Sequence, residues 1–217
     1  MASRGAWPHF YTAGLDYRDD PQGREAYGIY AFKNELIYNG FSRGVNPDTA
    51  YWGSKAVNRT KDAQRHFGLT PDGVLGPKTA LCLFRKRISE QANADALSRI
   101  KSLESGNDPV AQGYADLHDE GLFQENGPSN PDLTKEECWT PSFIIPHAAS
   151  QLASRIRNCG GSEKAGIAAW NVGNTYANDW RKDGFPGFGK VVTVSGSTFD
   201  VYTRATHYYT LVMAQEL

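Results

Sequence analysis

The 217-residue chain has few cysteines and histidines, and their spacing is not that of a metal site. Its three cysteines, Cys82, Cys138 and Cys159, include no CxxC pair, and its five histidines include no HExxH pair. Three cysteines cannot make a disulfide framework. We therefore expect no metal and no cofactor. Cys138 and Cys159 could meet in space, but we expect both to be buried thiols.

The chain also lacks an excess of positive charge and any long hydrophobic run. Its 23 Lys and Arg residues are balanced by 24 Asp and Glu residues, and the formal net charge is −1. A nucleic-acid partner therefore has no electrostatic support. No apolar run approaches the length that spans a bilayer, and the N-terminus MASRGAWPHFYTAG has no signal-peptide core. We expect a monomer that is made in a cytoplasm and has no membrane partner.

What the sequence does contain is an internal repeat. GVNPDTAYWGSKAV at 44–57 and GLTPDGVLGPKTAL at 68–81 agree in six positions, in the same order. Pro fixes φ at the start of a turn, Asp bonds nearby backbone N–H groups, and Gly73 allows a conformation that side chains disfavour. Pro77 stands where a helix can begin. Residues of about 25–88 are therefore predicted to form two helix–turn–helix copies around one small core.

The second copy carries a resemblance to a known family. AVNRTKDAQRHFGLTPDGVLGPKTALCLF at 56–84 resembles the helical peptidoglycan-binding domain of many cell-wall hydrolases, which has an AV…Q..FGL..DG..G..T string and an upstream copy. The resemblance implies a domain at 1–88 that binds bacterial peptidoglycan, with residues 1–24 as an arm that packs back on it. The wall-binding residues that it implies are Asp72, Gly73, Gly76 and Thr79. A helical dimerisation or spacer module is the alternative.

The second half, residues 89–217, is predicted to be mainly helical with a small sheet. Helical segments are predicted at 89–106, 146–161, 162–173 and 203–217, and a hairpin within 191–203 that turns at Ser195-Gly196. Pro146 is predicted to lie in the first turn of its helix, and Ser162 to cap the next one.

The stretch LESGNDPVAQGYADLHDEGLFQENG at 103–127 gathers six carboxylates and no Lys or Arg. Glu104 ends a predicted helix, on the side of Leu97 and Ile100. Partial burial, the helix macrodipole and the neighbouring acids each favour a raised pKa for its carboxyl. A carboxyl that stays protonated near neutral pH is what a general acid needs to cleave a glycosidic bond. The alternative is a frayed helix end with Glu104 in water.

Three motifs then follow in order: ESG at 104–106, GLFQ at 121–124 and AAWNVG at 168–173. They resemble the lysozyme-like superfamily of soluble lytic transglycosylases and goose-type lysozymes, which carry a catalytic Glu followed by Ser, a GLMQ-like loop and an AYNAG-like string. Phe123, Trp170 and Val172 replace the usual Met, Tyr and small residue. The resemblance implies an α-rich lysozyme-like (α+β) catalytic domain at 89–217. In it, Glu104 protonates the leaving oxygen of the β-1,4 bond between N-acetylmuramic acid and N-acetylglucosamine.

By the same resemblance, a set of residues would line the cleft and bind the sugars: Ser105, Gln124, Trp170, Asn171 and Tyr202. Ordinary loop and helix capping is the alternative role for Gln124 and Asn171. Core packing is the alternative for Trp170 and Tyr202, and for Tyr209, which could also close the cleft.

A second carboxylate would decide the reaction. An inverting hydrolase needs a base that activates water, whereas a lytic transglycosylase uses the substrate's 6-hydroxyl and leaves a 1,6-anhydro end. GYAD at 113–116 occupies the place of a GWGD-like string in the goose-type branch, so Asp116 is the candidate base. Asp119 is its rival, and a solvated acidic loop is the third possibility. Asn126 stands where that branch sometimes has a second acid.

The paired modules imply a muramidase. The lack of a signal peptide favours a phage endolysin that stays in the host cytoplasm until it is released to the cell wall, although a virion-associated lysin would look similar. A lytic transglycosylase and a non-catalytic wall-binding protein are the alternatives. A peptidase built on Cys138 and His147 has no family context.

Overall fold

The computed structural model describes residues 11–113, 119–194 and 196–215, and these are mainly helical, as the sequence predicts. They form two compact units. Unit 1 contains the described residues up to Glu90 and those from Glu104 to Ile145, and unit 2 contains Gln91–Leu103 and the described residues from Pro146 onward. Among the helices described, none has both the length and the apolar character needed to cross a membrane.

Unit 1 begins with the two predicted repeat copies. Its first helices are α1 (Arg24–Tyr38), α2 (Ser54–His66) and α3 (Pro77–Ser89). The two copies share their backbone conformation, since Gly44 and Gly68 have φ of 76° and 72°. Gly53 and Gly76 are the extended N-cap residues of α2 and α3. The helix–turn–helix repeat is therefore confirmed, including the helix start at Pro77.

A short arm, residues 11–17, contacts both copies. Two-residue strands β1 (Leu15–Asp16) and β2 (Tyr51–Trp52) pair antiparallel, with Leu15 opposite Trp52. Tyr11 forms an isolated bridge with Leu75. Trp52 and Leu75 each precede the N-cap glycine of their copy, so the arm pairs with the same position in both. The predicted packing of the arm is confirmed for residues 11–17.

The rest of unit 1 consists of short elements. They are β3 (Asp119–Glu120), β4 (Glu125–Asn126), a 3₁₀ turn at Gly127–Ser129, α5 (Lys135–Cys138) and the start of α6 (Pro141–Asn158). Strands β3 and β4 form a hairpin in which Asp119 faces Asn126. The division between the units falls inside α4 (Ala94–Ser105), before Glu104, and inside α6, before Pro146.

The predicted position of Pro146 is wrong. Helix α6 begins at Pro141, so Pro146 lies inside it. Ile144 and Ile145 are fully buried, and their burial extends the helix upstream of the predicted start. That burial offsets the backbone hydrogen bond that a proline cannot donate within a helix.

Unit 2 packs the remaining helices around a core of small and aromatic side chains. Its elements are α7 (Glu163–Val172), α8 (Asn174–Lys182), β5 (Val191–Val194), β6 (Ser197–Asp200) and α9 (Val201–Met213). Ser162 caps α7 as predicted, because its Oγ accepts from the Ala165 N–H at 3.2 Å. The β5–β6 hairpin is confirmed with Gly196 at φ 79°, whereas Ser195 lies outside the described residues. Helix α8 was not predicted.

Both buried thiols are also confirmed. Cys138 lies in unit 1 and Cys159 in unit 2, and neither forms a disulfide. Each is at most 4% exposed.

Candidate functional site

The end of α4 leads into a tight, buried turn. Glu104 is the penultimate residue of the helix and is half-buried. The next side chain, Ser105, is 8% exposed, and its Oγ accepts from the Asn107 N–H at 3.2 Å. Asp108 is 3% exposed and accepts from the Val110 N–H at 3.0 Å. Ser105 and Asp108 therefore fix the backbone that follows the candidate acid.

The GLFQ loop, residues 121–124, is hydrogen-bonded to Ala111, three residues after Asp108. Gln124 donates from Nε2 to the carbonyl oxygens of Ala111 at 3.2 Å and Gly121 at 3.0 Å. The Gly121 N–H donates to the same Ala111 oxygen at 2.8 Å. Gln124 itself has φ of 50°, a conformation uncommon outside glycine. Strain of this kind persists where surrounding contacts impose it, and it is found at functional sites.

Gly121 also packs directly on α5. Its φ is 75°, and a Cβ built there would lie 2.1 Å from the carbonyl oxygen of Cys138. Only a glycine satisfies both conditions without a shift of the backbone. The GLFQ loop is therefore fixed on one side by Ala111 and on the other by the end of α5.

Glu120 connects this loop to α1 of the repeat module. It is 4% exposed and accepts hydrogen bonds from Trp139 Nε1 and Gln112 Nε2, each at 3.0 Å. Lys135 forms a salt bridge with it at 3.3 Å. Gln112 in turn accepts from Arg24 Nη1 at 3.0 Å. Sequence reasoning gave Glu120 no role, because its partners lie 8 and 19 residues away and no local pattern shows them.

The other acids of this segment also have defined surroundings. Asp119, the rival base, accepts from Asn126 Nδ2 at 2.8 Å. Glu125 is 5% exposed and accepts from Asn130 Nδ2 at 3.2 Å. Asp116 lies outside the described residues. Within the described part of the chain, no group of three or more His, Cys, Asp or Glu side chains is arranged to hold a metal ion.

The remaining predicted sugar-binding residues belong to unit 2. Trp170 is half-buried, with the Arg155 guanidinium 5.1 Å from its ring centre, and Asn171 is exposed. Tyr202 is 4% exposed and belongs to the core. Its hydroxyl donates to Asp183, which raises the pKa of Tyr202 to about 12. A sugar would reach Tyr202 only if neighbouring side chains moved, and sugar contact by all three stays a prediction.

The residues predicted to bind the wall surround the amide of Gln64, which is 2% exposed. Gln64 Nε2 donates to Asp72 Oδ1 at 2.8 Å and to Thr79 Oγ1 at 3.2 Å, while its Oε1 accepts from the Gly73 N–H at 2.8 Å. Gly76 caps α3. These contacts hold the second repeat loop in shape, and direct contact with the wall stays a prediction. Gln64 is the Q of the family string, which is the sequence signal for it.

A pocket of about 310 Å³ lies beside the loop of the first copy. Lys33, Asn46, Tyr51 and Lys55 are among its lining residues. Lys33 is 2% exposed, and its Nζ donates to the carbonyl oxygen of Thr49 at 2.6 Å. Burial lowers the pKa of Lys33 to about 8. The pocket combines cationic and amide groups with a half-exposed aromatic ring.

The comparison with known protein families concerns the repeat region of unit 1. Residues 26–83 match the family model described as a putative peptidoglycan binding domain. The matched range holds both repeat loops, helix α2, and most of α1 and α3. A search of the curated proteins finds no match. Residues 26–83 therefore form a peptidoglycan-binding domain, which indicates association with the bacterial cell wall.

Proposed function

We propose that the protein is a peptidoglycan-degrading muramidase with Glu104 as its general acid. It would act as a phage endolysin that stays in the host cytoplasm until it is released to the wall. The observation that carries the proposal is the hydrogen bond from Gln124 of the GLFQ loop to Ala111, in the segment that follows Glu104. The peptidoglycan-binding domain at 26–83 supports the same polymer as substrate.

In the proposed reaction, Glu104 protonates the glycosidic oxygen as the bond to N-acetylmuramic acid breaks. A general acid of this kind contributes about 10²- to 10⁴-fold to the rate. The buried turn at Ser105–Asp108 limits the movement of the backbone that carries Glu104. Sugar contact by Trp170 and Asn171 stays a prediction.

The nucleophile has two candidates. If water attacks, a carboxylate must take its proton, and Asp116 is the residue that we propose. A lytic transglycosylase needs no such base. The described acids favour the transglycosylase reaction, because each of them already accepts a hydrogen bond from a neighbouring side chain. Asp119 accepts from Asn126, Glu125 from Asn130 and Glu120 from Trp139.

Digestion of purified peptidoglycan tests the proposal. The wild-type protein and Glu104→Gln are incubated with sacculi, and the soluble products are analysed by mass spectrometry. We expect release of muropeptides by the wild type and a loss of at least 100-fold in Glu104→Gln, because glutamine cannot deliver a proton (about 10²–10⁴ for a general acid). Reducing ends would identify water as the nucleophile, and 1,6-anhydro ends would identify a lytic transglycosylase.

The matched control is Glu163→Gln, an exposed glutamate in the first turn of α7, which should leave product release unchanged. Sedimentation with sacculi is measured in parallel. If neither wild type nor variant releases products but both sediment, the catalytic proposal fails and a non-catalytic wall-binding protein remains.

A further inference from the structure

A second pocket of unit 1, of about 210 Å³, lies between α1 and the segment 139–142. Three aromatic side chains line it, Tyr27 and Tyr30 from α1 and Trp139 from the facing segment. Asn34 and Glu35 add polar groups. Pockets that combine mainly aromatic walls with a few fixed polar groups are typical of small-ligand sites.

The aromatic walls are held in place before any ligand binds. Tyr27 and Trp139 have ring centres 5.5 Å apart, and Tyr27 and Tyr30 meet edge to face at 5.9 Å. The indole N–H of Trp139 is already bonded to Glu120. The ring of Trp139 therefore has a fixed position, and its apolar surface is what it offers to a ligand.

Glu35 supplies an acceptor that the described residues do not use. Its side chain is 1% exposed, and Oε1 accepts from Arg87 Nε at 2.9 Å. Oε2 is buried and has no hydrogen-bond partner among the described residues. A buried acceptor without a partner costs free energy. Because Glu35 lines the pocket, a ligand hydroxyl that reached Oε2 and donated a hydrogen bond to it would remove that cost.

The charges that line the pocket and its volume restrict the class of ligand further. Glu35 and Arg87 already balance each other, so a cationic ligand would leave an uncompensated buried charge. A neutral ligand with hydroxyl donors avoids this. The volume of about 210 Å³ is below the roughly 300–1,000 Å³ of sites for drug-sized ligands, so one ring is the appropriate size.

We propose that this pocket, lined by Tyr27, Tyr30, Asn34, Glu35 and Trp139, binds one pyranose ring of the peptidoglycan glycan strand. The proposal rests on the proposed function, because that function supplies the glycan. The pocket is connected to the GLFQ loop, since Trp139 donates to Glu120, the residue before Gly121. A sugar bound here would hold the strand on the same unit as Glu104.

The test is a titration that involves no catalysis. A peptide-free tetramer of N-acetylglucosamine is added to the Glu104→Gln protein, and the indole N–H signal of Trp139 is followed by NMR after assignment by its loss in Trp139→Phe. We expect this signal to shift. Tyr30→Ala should weaken the affinity read from it by about tenfold, as expected for loss of an aromatic anchor.

Two further variants separate binding from folding. Asn34 is exposed on α1, and alanine is a better helix former, so Asn34→Ala should keep the fold and weaken binding by about threefold. Tyr38→Ala removes a tyrosine of the same helix that contacts Arg87 but does not line the pocket, and it should leave the affinity unchanged. Thermal unfolding of each variant checks the fold.

The outcomes distinguish this proposal from the proposed function. An unshifted Trp139 signal, or equal affinity in Tyr30→Ala and Tyr38→Ala, overturns the sugar pocket even if the wild-type protein digests peptidoglycan. A shift with stem peptide and none with the tetramer overturns it as well. Binding to the pocket without digestion by the wild type supports the pocket and contradicts the muramidase.

Discussion

Helix α1 buries two opposite charges two residues apart. Lys33 is 2% exposed and Glu35 is 1% exposed, yet charged residues are almost never fully buried unless they are paired. Their partners are distant in the chain, because Lys33 bonds Thr49 and Glu35 bonds Arg87. Burial raises the pKa of Glu35, and the hydrogen bond from Arg87 acts in the opposite direction. Lys33 lines the pocket beside the first repeat loop, and Glu35 lines the pocket between α1 and residues 139–142.

Lys33 should make stability depend on pH. Its folded pKa of about 8 lies below the unfolded value of about 10.4, so the unfolded chain binds more protons between these values. The free energy of unfolding therefore rises with pH across that window, and below pH 8 the contribution is flat. We expect the wild type to gain about 1 to 2 kcal/mol relative to Lys33→Met between pH 7.5 and 10, allowing for solvent screening. Denaturant unfolding of both proteins at several pH values measures the difference. If the free energies of unfolding of the two proteins changed in parallel with pH, the pKa of Lys33 would be the same in the folded and unfolded chain.

At the scale of elements, the β3–β4 hairpin and α5 depend on one close approach. Gly121 meets the carbonyl oxygen of Cys138, and the adjacent Glu120 receives the indole N–H of Trp139. The loop that presents Gln124 is therefore positioned by packing against α5 as well as by its own hairpin.

Gly121→Ala should disrupt that approach. The added methyl group would lie 2.1 Å from a backbone oxygen, and the residue would keep a positive φ that alanine disfavours. We expect the free energy of unfolding to fall by about 2 to 4 kcal/mol, within the range for strained backbone positions. Urea unfolding measures it. Gly187→Ala is the control, because a methyl group added there would have no atom of the described residues within 4 Å, and its stability should be close to that of the wild type. Equal losses in both variants would contradict the contact.

Sequence patterns predicted elements where local chemistry decides them. Ser162 as a helix cap, Pro77 at a helix start and the Gly196 hairpin are local signals, and all are confirmed. The start of α6 was missed because burial of Ile144 and Ile145 outweighs the proline signal at Pro146. Tertiary packing decided that boundary.

The candidate site also has some features that sequence patterns predict and others that they do not. The order of ESG and GLFQ predicts that Glu104 and Gln124 belong to one site, and this stays a prediction; the structure shows Gln124 bonded to Ala111, seven residues after Glu104. No pattern predicted the Trp139–Glu120 bond or the pocket at Tyr30, since these depend on side chains from distant parts of the chain. Sugar contact at Trp170 and Asn171 stays a prediction.

At the scale of the molecule, the peptidoglycan-binding repeat and the GLFQ loop share unit 1. Arg24 donates to Gln112, and Tyr27 packs on Trp139. The predicted domain boundary at residue 88 stays a prediction, but a cut there separates α1 from these partners. Residues 104–145 would then lose part of their packing surface.

A fragment of residues 89–217 should therefore be less stable than the full chain. Loss of α1 exposes Trp139, which is 6% exposed in the intact protein. We expect faster proteolysis near Trp139 and a lower melting temperature in the fragment. Arg24→Ala in the full chain is the control, because it removes the hydrogen bond to Gln112 and the contacts with Glu25 but keeps Tyr27 in place. If the fragment melts at the temperature of the full chain, residues 89–217 fold independently.

The three thiols differ in accessibility, so one of them can be labelled selectively. Cys138 and Cys159 are buried, and burial raises the pKa of Cys138 to about 12, so at neutral pH that residue carries almost no thiolate. Cys82 on α3 is half-buried and therefore more accessible. A maleimide dye should attach first at Cys82 of the unmodified chain, within the peptidoglycan-binding domain. Single molecules could then be followed by microscopy as they land on cell-wall fragments.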